Sequence, residues 1–258
     1  MTIQVPFMII GGLLFGSFLN VVIYRVPRGM SVNHPRSACP GCGHLIRAYD
    51  NVPVLSWLVL RGKCRDCQAP VAVRYPLVEA ATAVLWVCLY ARFGWHPVLP
   101  ALVYVGTLGL ALALIDLDVK RLPFVLTVPA LPVTAALLAI DGVENGWGNA
   151  DVAALSTAAW LGLYGTIWLA TAGRGMGMGD VVLAPTLGLI TGWIGWGASV
   201  VGMFSGFFFG AVIGVTLMAV GVASRKSAIP FGPFMLLGAF FGLFAGPHLW
   251  SEYLNLNR

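Results

Sequence analysis

Gly175-Met176-Gly177-Met178-Gly179-Asp180 opens an apolar run in which the next charged residue is Arg225. A run of that kind is a membrane helix, and the carboxylate at its mouth is costly there; ionisable groups at a membrane edge are read by default as functional. Three glycines at alternate positions permit positive φ and the close approach of another segment, which a plain helix start does not need. The stretch reads as an active-site loop in which Gly177 and Gly179 support Asp180. A plainer reading stands beside it, with Asp180 as an acid that caps the first free amides of its helix.

Outward from this stretch the composition agrees. Hydrophobic residues make up 59% of the 258 and charged residues only 10%, far from the quarter or so of charged residues in soluble domains. The fold class expected is an all-α polytopic membrane protein of about eight transmembrane helices with a small cytoplasmic zinc-ribbon-like domain. The formal charge of +5 is not a nucleic-acid signal, because the basic residues lie between apolar runs and serve as topology markers. The first apolar run has no basic n-region and no small-residue cleavage site, so it is expected to be a retained span.

Three regions follow: 1–24 as the first transmembrane helix, 25–76 as a four-cysteine domain, and 77–258 as a seven-helix membrane domain with spans near 77–93, 98–116, 122–140, 151–172, 180–195, 197–222 and 231–248. The weakest division is at Gly192-Trp193-Ile194-Gly195-Trp196-Gly197. Within 25–76, Val54-Leu55-Ser56-Trp57-Leu58-Val59-Leu60 is too short to span and reads as a core strand pair or a re-entrant segment. Eight of the fifteen Lys and Arg residues lie in 25–76, which places that domain in the cytoplasm. Eight spans then leave both termini outside. Lys120, Arg121, Arg174, Arg225 and Lys226 fall inside, and Asp141, Glu144 and Asp151 outside.

On this topology Asp116, Asp118 and Asp180 share one depth at the cytoplasmic edge. Two neighbouring carboxylates do not both ionise readily, so one holds a proton while the other is charged, an arrangement suited to amide hydrolysis. None of His34, His44, His96 and His248 is placed beside them. Asp116 and Asp118 point about 200° apart on a helix, so only one faces Asp180 if the helix runs through both.

Asp116-Leu117-Asp118-Val119-Lys120-Arg121-Leu122-Pro123 together with Gly177-Met178-Gly179-Asp180 resembles the aspartate motifs of bacterial type IV prepilin peptidases, membrane proteases of the GxGD class. Phe15-Gly16-Ser17-Phe18-Leu19-Asn20-Val21-Val22-Ile23-Tyr24-Arg25 is similar to that family's opening span. Arg74-Tyr75-Pro76-Leu77-Val78-Glu79 resembles the start of its second span, and Ile229-Pro230-Phe231-Gly232-Pro233-Phe234 the start of its last. The resemblance implies catalytic Asp116 and Asp180, with Asp118 a secondary candidate. It further implies prepilin or type II secretion pseudopilin precursors as substrates, and a bacterial inner-membrane location. Two positions depart from the family pattern: Val182 stands where Lys is usual two residues after the GxGD aspartate, and Phe124 where Asp or Asn usually follows the proline. Without the cation, the charge on Asp180 is costlier to hold.

Cys39-Pro40-Gly41-Cys42 and Cys64-Arg65-Asp66-Cys67 have the spacing of two knuckles around tetrahedral zinc, structural because four sulfurs leave no open position. Two disulfides are the alternative, disfavoured in a reducing compartment. Cys88, mid-span, reads as packing. By resemblance alone, the chain also methylates the trimmed N-terminus with S-adenosylmethionine, for which Lys63 and Glu79 are candidate contacts; the plainer readings are a solvated lysine and a glutamate paired with a local arginine. The runner-up functions are an ion transporter using Asp116 and Asp180 as a cation relay, and an inactive scaffold of the same fold. The partners expected are the precursor substrates and membrane lipid, with no nucleic acid, and no motif sets an oligomeric state.

Overall fold

The computed structural model describes residues 3–222, 224 and 230–256, so Arg225, Lys226, Ile229 and Arg258 lie outside the described residues. Nine α-helices are present among the described residues: α1 Gln4–Arg25, α2 Leu55–Val59, α3 Arg74–Phe93, α4 Leu99–Val119, α5 Phe124–Asn145, α6 Ala150–Ala170, α7 Met178–Ile194, α8 Trp196–Ala219 and α9 Gly232–Leu256. Seven of them are long and apolar enough to cross a membrane. The protein is an all-helical, multi-pass membrane chain. It divides into two compact units, Met1–Trp95 and His96–Arg258.

In the first unit α1 lies on α3, and glycine sets the distance. A Cβ on Gly12 would stand 2.5 Å from the Ala83 Cα, and one on Gly16 2.6 Å from the Glu79 Cα. Backbones this close are the small-residue packing that holds helices together where lipid removes the hydrophobic drive. Asn20 adds a polar tie, its side-chain amide donating to the carbonyls of Gly16 and of Tyr75 at 3.3 and 3.2 Å. The opening-span stretch and the stretch beginning at Arg74 therefore meet each other.

Between these helices the segment expected as a strand pair or re-entrant loop is instead the short helix α2. Short apolar runs do not distinguish helix from strand by periodicity; here hydrogen bonds from near residues and from Glu79 decide. Ser56 accepts from the Val52 amide and donates to the Tyr49 carbonyl. Val54, at φ +61°, gives its amide to Glu79 Oε2 at 2.7 Å. The Trp57 ring then folds over Gly62, where a Cβ would meet it at 2.8 Å, and its indole N–H reaches the Val71 carbonyl. Cys88, expected as packing, is on an exposed face of α3.

The second unit is built around α7. Twelve of its seventeen residues are buried, and it contacts α4, α5, α6, α8 and α9. At about 1.5 Å per residue it rises roughly 25 Å, short of the approximately 30 Å hydrocarbon core; protein, more than lipid, is its surroundings. Gly195, at φ +133°, ends it and begins α8, which resolves the weakest division in the sequence. α8 and α9 pair through facing glycines: a Cβ on Gly246 would meet the Gly197 carbonyl oxygen at 2.5 Å, and one on Gly238 the Gly202 carbonyl oxygen at 2.6 Å.

At one end of this unit Asp141, expected in an acidic loop, is instead buried in the last turn of α5. Its Oδ2 accepts from the Trp193 indole at 2.6 Å and its Oδ1 from the Asn145 amide at 2.8 Å, with His96 Nδ1 3.3 Å from that same Oδ1. Glu144 is in the same turn and Asp151 in the first turn of α6.

Candidate active site and metal centre

The opposite end of the second unit holds the two candidate aspartates. α4 runs through Asp116 and Asp118 and stops at Val119, where Lys120 turns left-handed at φ +53° and gives its amide to the Asp116 carbonyl. The 200° separation has its consequence: Asp116 is 5% exposed, while Asp118 lies on the exposed face. Asp180 is 6% exposed, and the two buried carboxylates are close enough to interact electrostatically. Asp118 is not brought into this pair.

Each carboxylate is held by the start of a helix. Asp180 reaches back one turn, and its Oδ2 accepts the Gly177 amide at 3.1 Å, the carboxylate half of a capping box. Asp116 reaches across the unit, its Oδ2 accepting the amide of Gly232, the first residue of α9, at 3.1 Å. Helix N-termini favour negative charge, so both sites are built to tolerate a carboxylate in apolar surroundings. The capping reading of Asp180 applies to Oδ2; Oδ1 is buried without a hydrogen-bond partner.

Leu122 is the spacer between the two anchors. A Cβ on Gly179 would stand 2.6 Å from its Cβ, and one on Gly232 3.4 Å from its Cδ2 and 2.8 Å from Asp116 Oδ2. Of the two roles expected for the glycine loop, close approach applies at Gly179; positive φ falls earlier, at Ala172 and Gly173. Leu122 and Gly232 were not singled out from sequence, although both sit inside quoted motifs, because an apolar side chain and a backbone amide carry no chemical signature. Val182 is half-buried on α7, and Phe124 is exposed at the start of α5.

The first unit holds a four-cysteine cluster that could bind a metal ion. The Sγ atoms of Cys39, Cys42, Cys64 and Cys67 all lie within 4.8 Å of one another, with Cys39 and Cys67 3.7 Å apart. Tetrahedral Zn–S bonds of roughly 2.3 Å put sulfurs about 3.8 Å apart, so the cluster fits a zinc ion, and all four thiols are free. The two knuckles repeat one design. The Cys39 amide donates to the His44 carbonyl and the Gly43 amide to the Cys39 carbonyl, just as Cys64 pairs with Ala69 and Gln68 with Cys64. The residue after each second cysteine turns left-handed, Gly43 at +74° and Gln68 at +60°. Backbone amides of Gly41 and Cys42 draw the Cys39 thiol down to about 7. Against the His44 amide, which favours its thiolate, desolvation and the neighbouring thiols push Cys42 up to about 12. A bound cation reverses that balance, because coordination deprotonates thiols outright.

Both inner residues of the second knuckle are tied to the segment after the first. Arg65 forks onto Asp50, with contacts of 2.6 to 3.0 Å, and Arg47 meets Asp66 at 3.1 Å. Lys63 is exposed. Glu79 is buried and paired with the Val54 amide and the Ser17 hydroxyl.

Residues 10–93 match the Bacterial Peptidase A24 N-terminal domain, and residues 102–215 match the Type IV leader peptidase family. Proteins named prepilin leader peptidase/N-methyltransferase are similar along most of the chain. The Aeromonas hydrophila protein is 37% identical, covering 94% of this chain and 91% of its own length. The Pseudomonas aeruginosa protein is 35% identical, at 95% and 91%. The chain belongs to the type IV leader peptidase family. A Myxococcus xanthus relative is 40% identical over 86% of this chain, which spans 65% of that longer protein. No solved structure matches. The boundary between the two leader-peptidase family regions falls between residues 93 and 102, where the structure also divides its units.

Proposed function

We propose that this leader peptidase family member is an aspartyl endopeptidase that cuts the leader from type IV prepilins or type II secretion pseudopilins at the cytoplasmic face of the inner membrane. Asp116 and Asp180 are the catalytic pair in this reading. The observation that carries it is the pair of buried carboxylates, each anchored through Oδ2 to a helix-start amide, with Asp180 Oδ1 left unpartnered. The charged member takes a proton from water as the water oxygen attacks the scissile carbonyl carbon. The protonated member hydrogen-bonds the carbonyl oxygen, and proton transfer to the nitrogen releases the amine. Zinc, held by the four cysteines, keeps the soluble domain folded and takes no part in the cut.

Sidedness is supported by charge. The aspartate end of the second unit carries Lys120, Arg121 and Arg174, and the far end Asp141, Glu144 and Asp151, the asymmetry of a cytoplasmic site.

The test uses detergent-purified protein and a prepilin peptide, with the trimmed product read by mass. Asp116→Asn and Asp180→Asn should each lose cleavage by more than about a thousandfold, since members of such a pair act as a unit, with zinc content unchanged. Asp118→Asn should stay within about threefold of wild type, as an exposed group outside the pair. Cleavage by both Asn variants at 116 and 180 refutes the aspartyl reading.

The relatives' name pairs leader cleavage with N-methylation, and the second activity is carried to this chain on that name. Asp180→Ala should still transfer a labelled methyl group from S-adenosylmethionine to a pre-trimmed substrate. Absence of label with wild-type protein leaves a peptidase alone.

A further inference from the structure

α2 is turned the wrong way for a helix in water. Of its five residues, Leu55, Leu58 and Val59 are 60%, 57% and 75% exposed. Its two hydrogen-bonding side chains are half-buried and tied to the domain's own backbone, the Ser56 hydroxyl donating to the Tyr49 carbonyl and the Trp57 indole N–H to the Val71 carbonyl. A helix on a water-facing domain buries its apolar stripe and shows its polar one. Here the order is reversed, which is what an apolar medium outside the helix selects.

A second observation fixes where the helix sits. Val54, the residue before α2, gives its amide to Glu79 Oε2 at 2.7 Å, and Glu79 also takes the Ser17 hydroxyl of α1. Both anchors lie inside the spans. At about 1.5 Å per residue, Glu79 is roughly 8 Å beyond Arg74 at the start of α3, and Ser17 roughly 12 Å before Arg25 at the end of α1. Gly16 closes the junction, since a Cβ there would stand 2.6 Å from the Glu79 Cα. To make the tie, Val54 holds φ +61° and ψ −50°, outside the regions a β-branched residue normally adopts. α2 is therefore drawn down beside the ends of α1 and α3 and is not hung above them.

The spans show apolar surface at the same level: Phe18, next to Ser17, and Leu77, two residues before Glu79, are exposed too. Just past α2, Arg61 and Lys63 are exposed, cations of the kind that meet lipid phosphates around an interfacial helix. We infer that α2 is an interfacial membrane helix: Leu55, Leu58 and Val59 insert among acyl chains just below the headgroups, with Arg61 and Lys63 at the phosphates. The contact holds the four-cysteine domain against the bilayer. Phospholipid is the occupant of this face, because the face continues the lipid-exposed surface of α1 and α3 and is followed by cations that complement anionic headgroups. Nothing in this placement depends on Asp116 or Asp180.

Val59→benzoylphenylalanine in the full-length protein reads the surroundings directly. Reconstituted in nanodiscs of phosphatidylethanolamine with phosphatidylglycerol and irradiated, it should gain the mass of one phospholipid, with fragmentation placing the new bond on an acyl chain. The same substitution at Leu58 should behave alike. Leu55→Gln, Leu58→Gln and Val59→Gln combined should raise the rate of trypsin cleavage after Arg61 about tenfold in the same nanodiscs, with zinc content unchanged, since the anchoring area is lost. Recovery of both benzoylphenylalanine variants without a lipid adduct, and with trypsin cleavage unchanged in the glutamine variant, puts the face in water and overturns the inference. A crosslink to a second copy or to another segment of the chain makes the face a protein interface and overturns it too.

Discussion

Three glycines lie around the two buried carboxylates, and they are not equivalent: Gly177 and Gly232 give them backbone amides, and Gly179 lets Leu122 approach. At Gly179 an added methyl meets Leu122 Cβ at 2.6 Å, and at Gly232 it meets Asp116 Oδ2 at 2.8 Å; at Gly177 the nearest atom is Asp180 Oδ2 at 3.3 Å. The first forces the α7 start away from Leu122, and the second pushes Asp116 from the amide that anchors it. Gly179→Ala and Gly232→Ala should therefore lose about tenfold to a hundredfold in kcat, the cost of misplacing a catalytic group by a fraction of an ångström to one. Gly177→Ala asks the neighbour to give only a few tenths of an ångström and should lose less. Initial rates on a prepilin peptide, with product followed by mass, check the order; equal activity in all three would mean that close approach does not govern the site.

The knuckle domain depends on ties between elements that are too small to have a core. Removing Cys64 as Cys64→Ser should abolish stoichiometric zinc by elemental analysis and expose 25–76 to protease, since metal binding and folding of such a domain are coupled. Chelation should then lower cleavage indirectly. The Arg65 fork holds the Asp50 carboxyl below the usual carboxylate range, by hydrogen bonding first. A depressed acid contributes stability that is present above its unfolded pKa of about 3.9 and is lost as pH falls through the lower folded value. Asp50→Asn should therefore release zinc to a competing chelator faster than wild type at pH 7. The gap should close only in strong acid, below about pH 4. A gap that vanished between pH 7 and 5 would point to a different group.

Across the whole molecule, charge and burial divide the second unit into two ends. One has the aspartates with Lys120, Arg121 and Arg174 in short loops; the other has Asp141 clasped by Trp193 and Asn145, with Glu144 in the same turn. A reporter active only in the periplasm should be on when fused after Glu144 and off when fused after Arg174, by the bias of short basic loops toward the cytoplasm. The reverse pattern would move the site to the other side of the membrane and exclude cytoplasmic leader cleavage.

Hydropathy, cysteine spacing and the two aspartate stretches made the membrane class, the knuckles and the family resemblance legible in the residues themselves, because each is a local pattern: an apolar length, a CxxC repeat, a motif of eight residues. The separation of Asp116 from Asp118 was also local, following from helical pitch alone. Other features needed the folded chain. That Val54 to Leu60 contains a helix depends on Glu79, 25 residues after Val54, and that Asp141 is buried depends on Trp193, 52 residues on. The placing of Asp116 depends on an amide 116 residues away, and a backbone N–H is the same in every residue but proline, so no side-chain pattern announces it. Leu122 has no chemical signature in sequence; only packing puts it between two glycines.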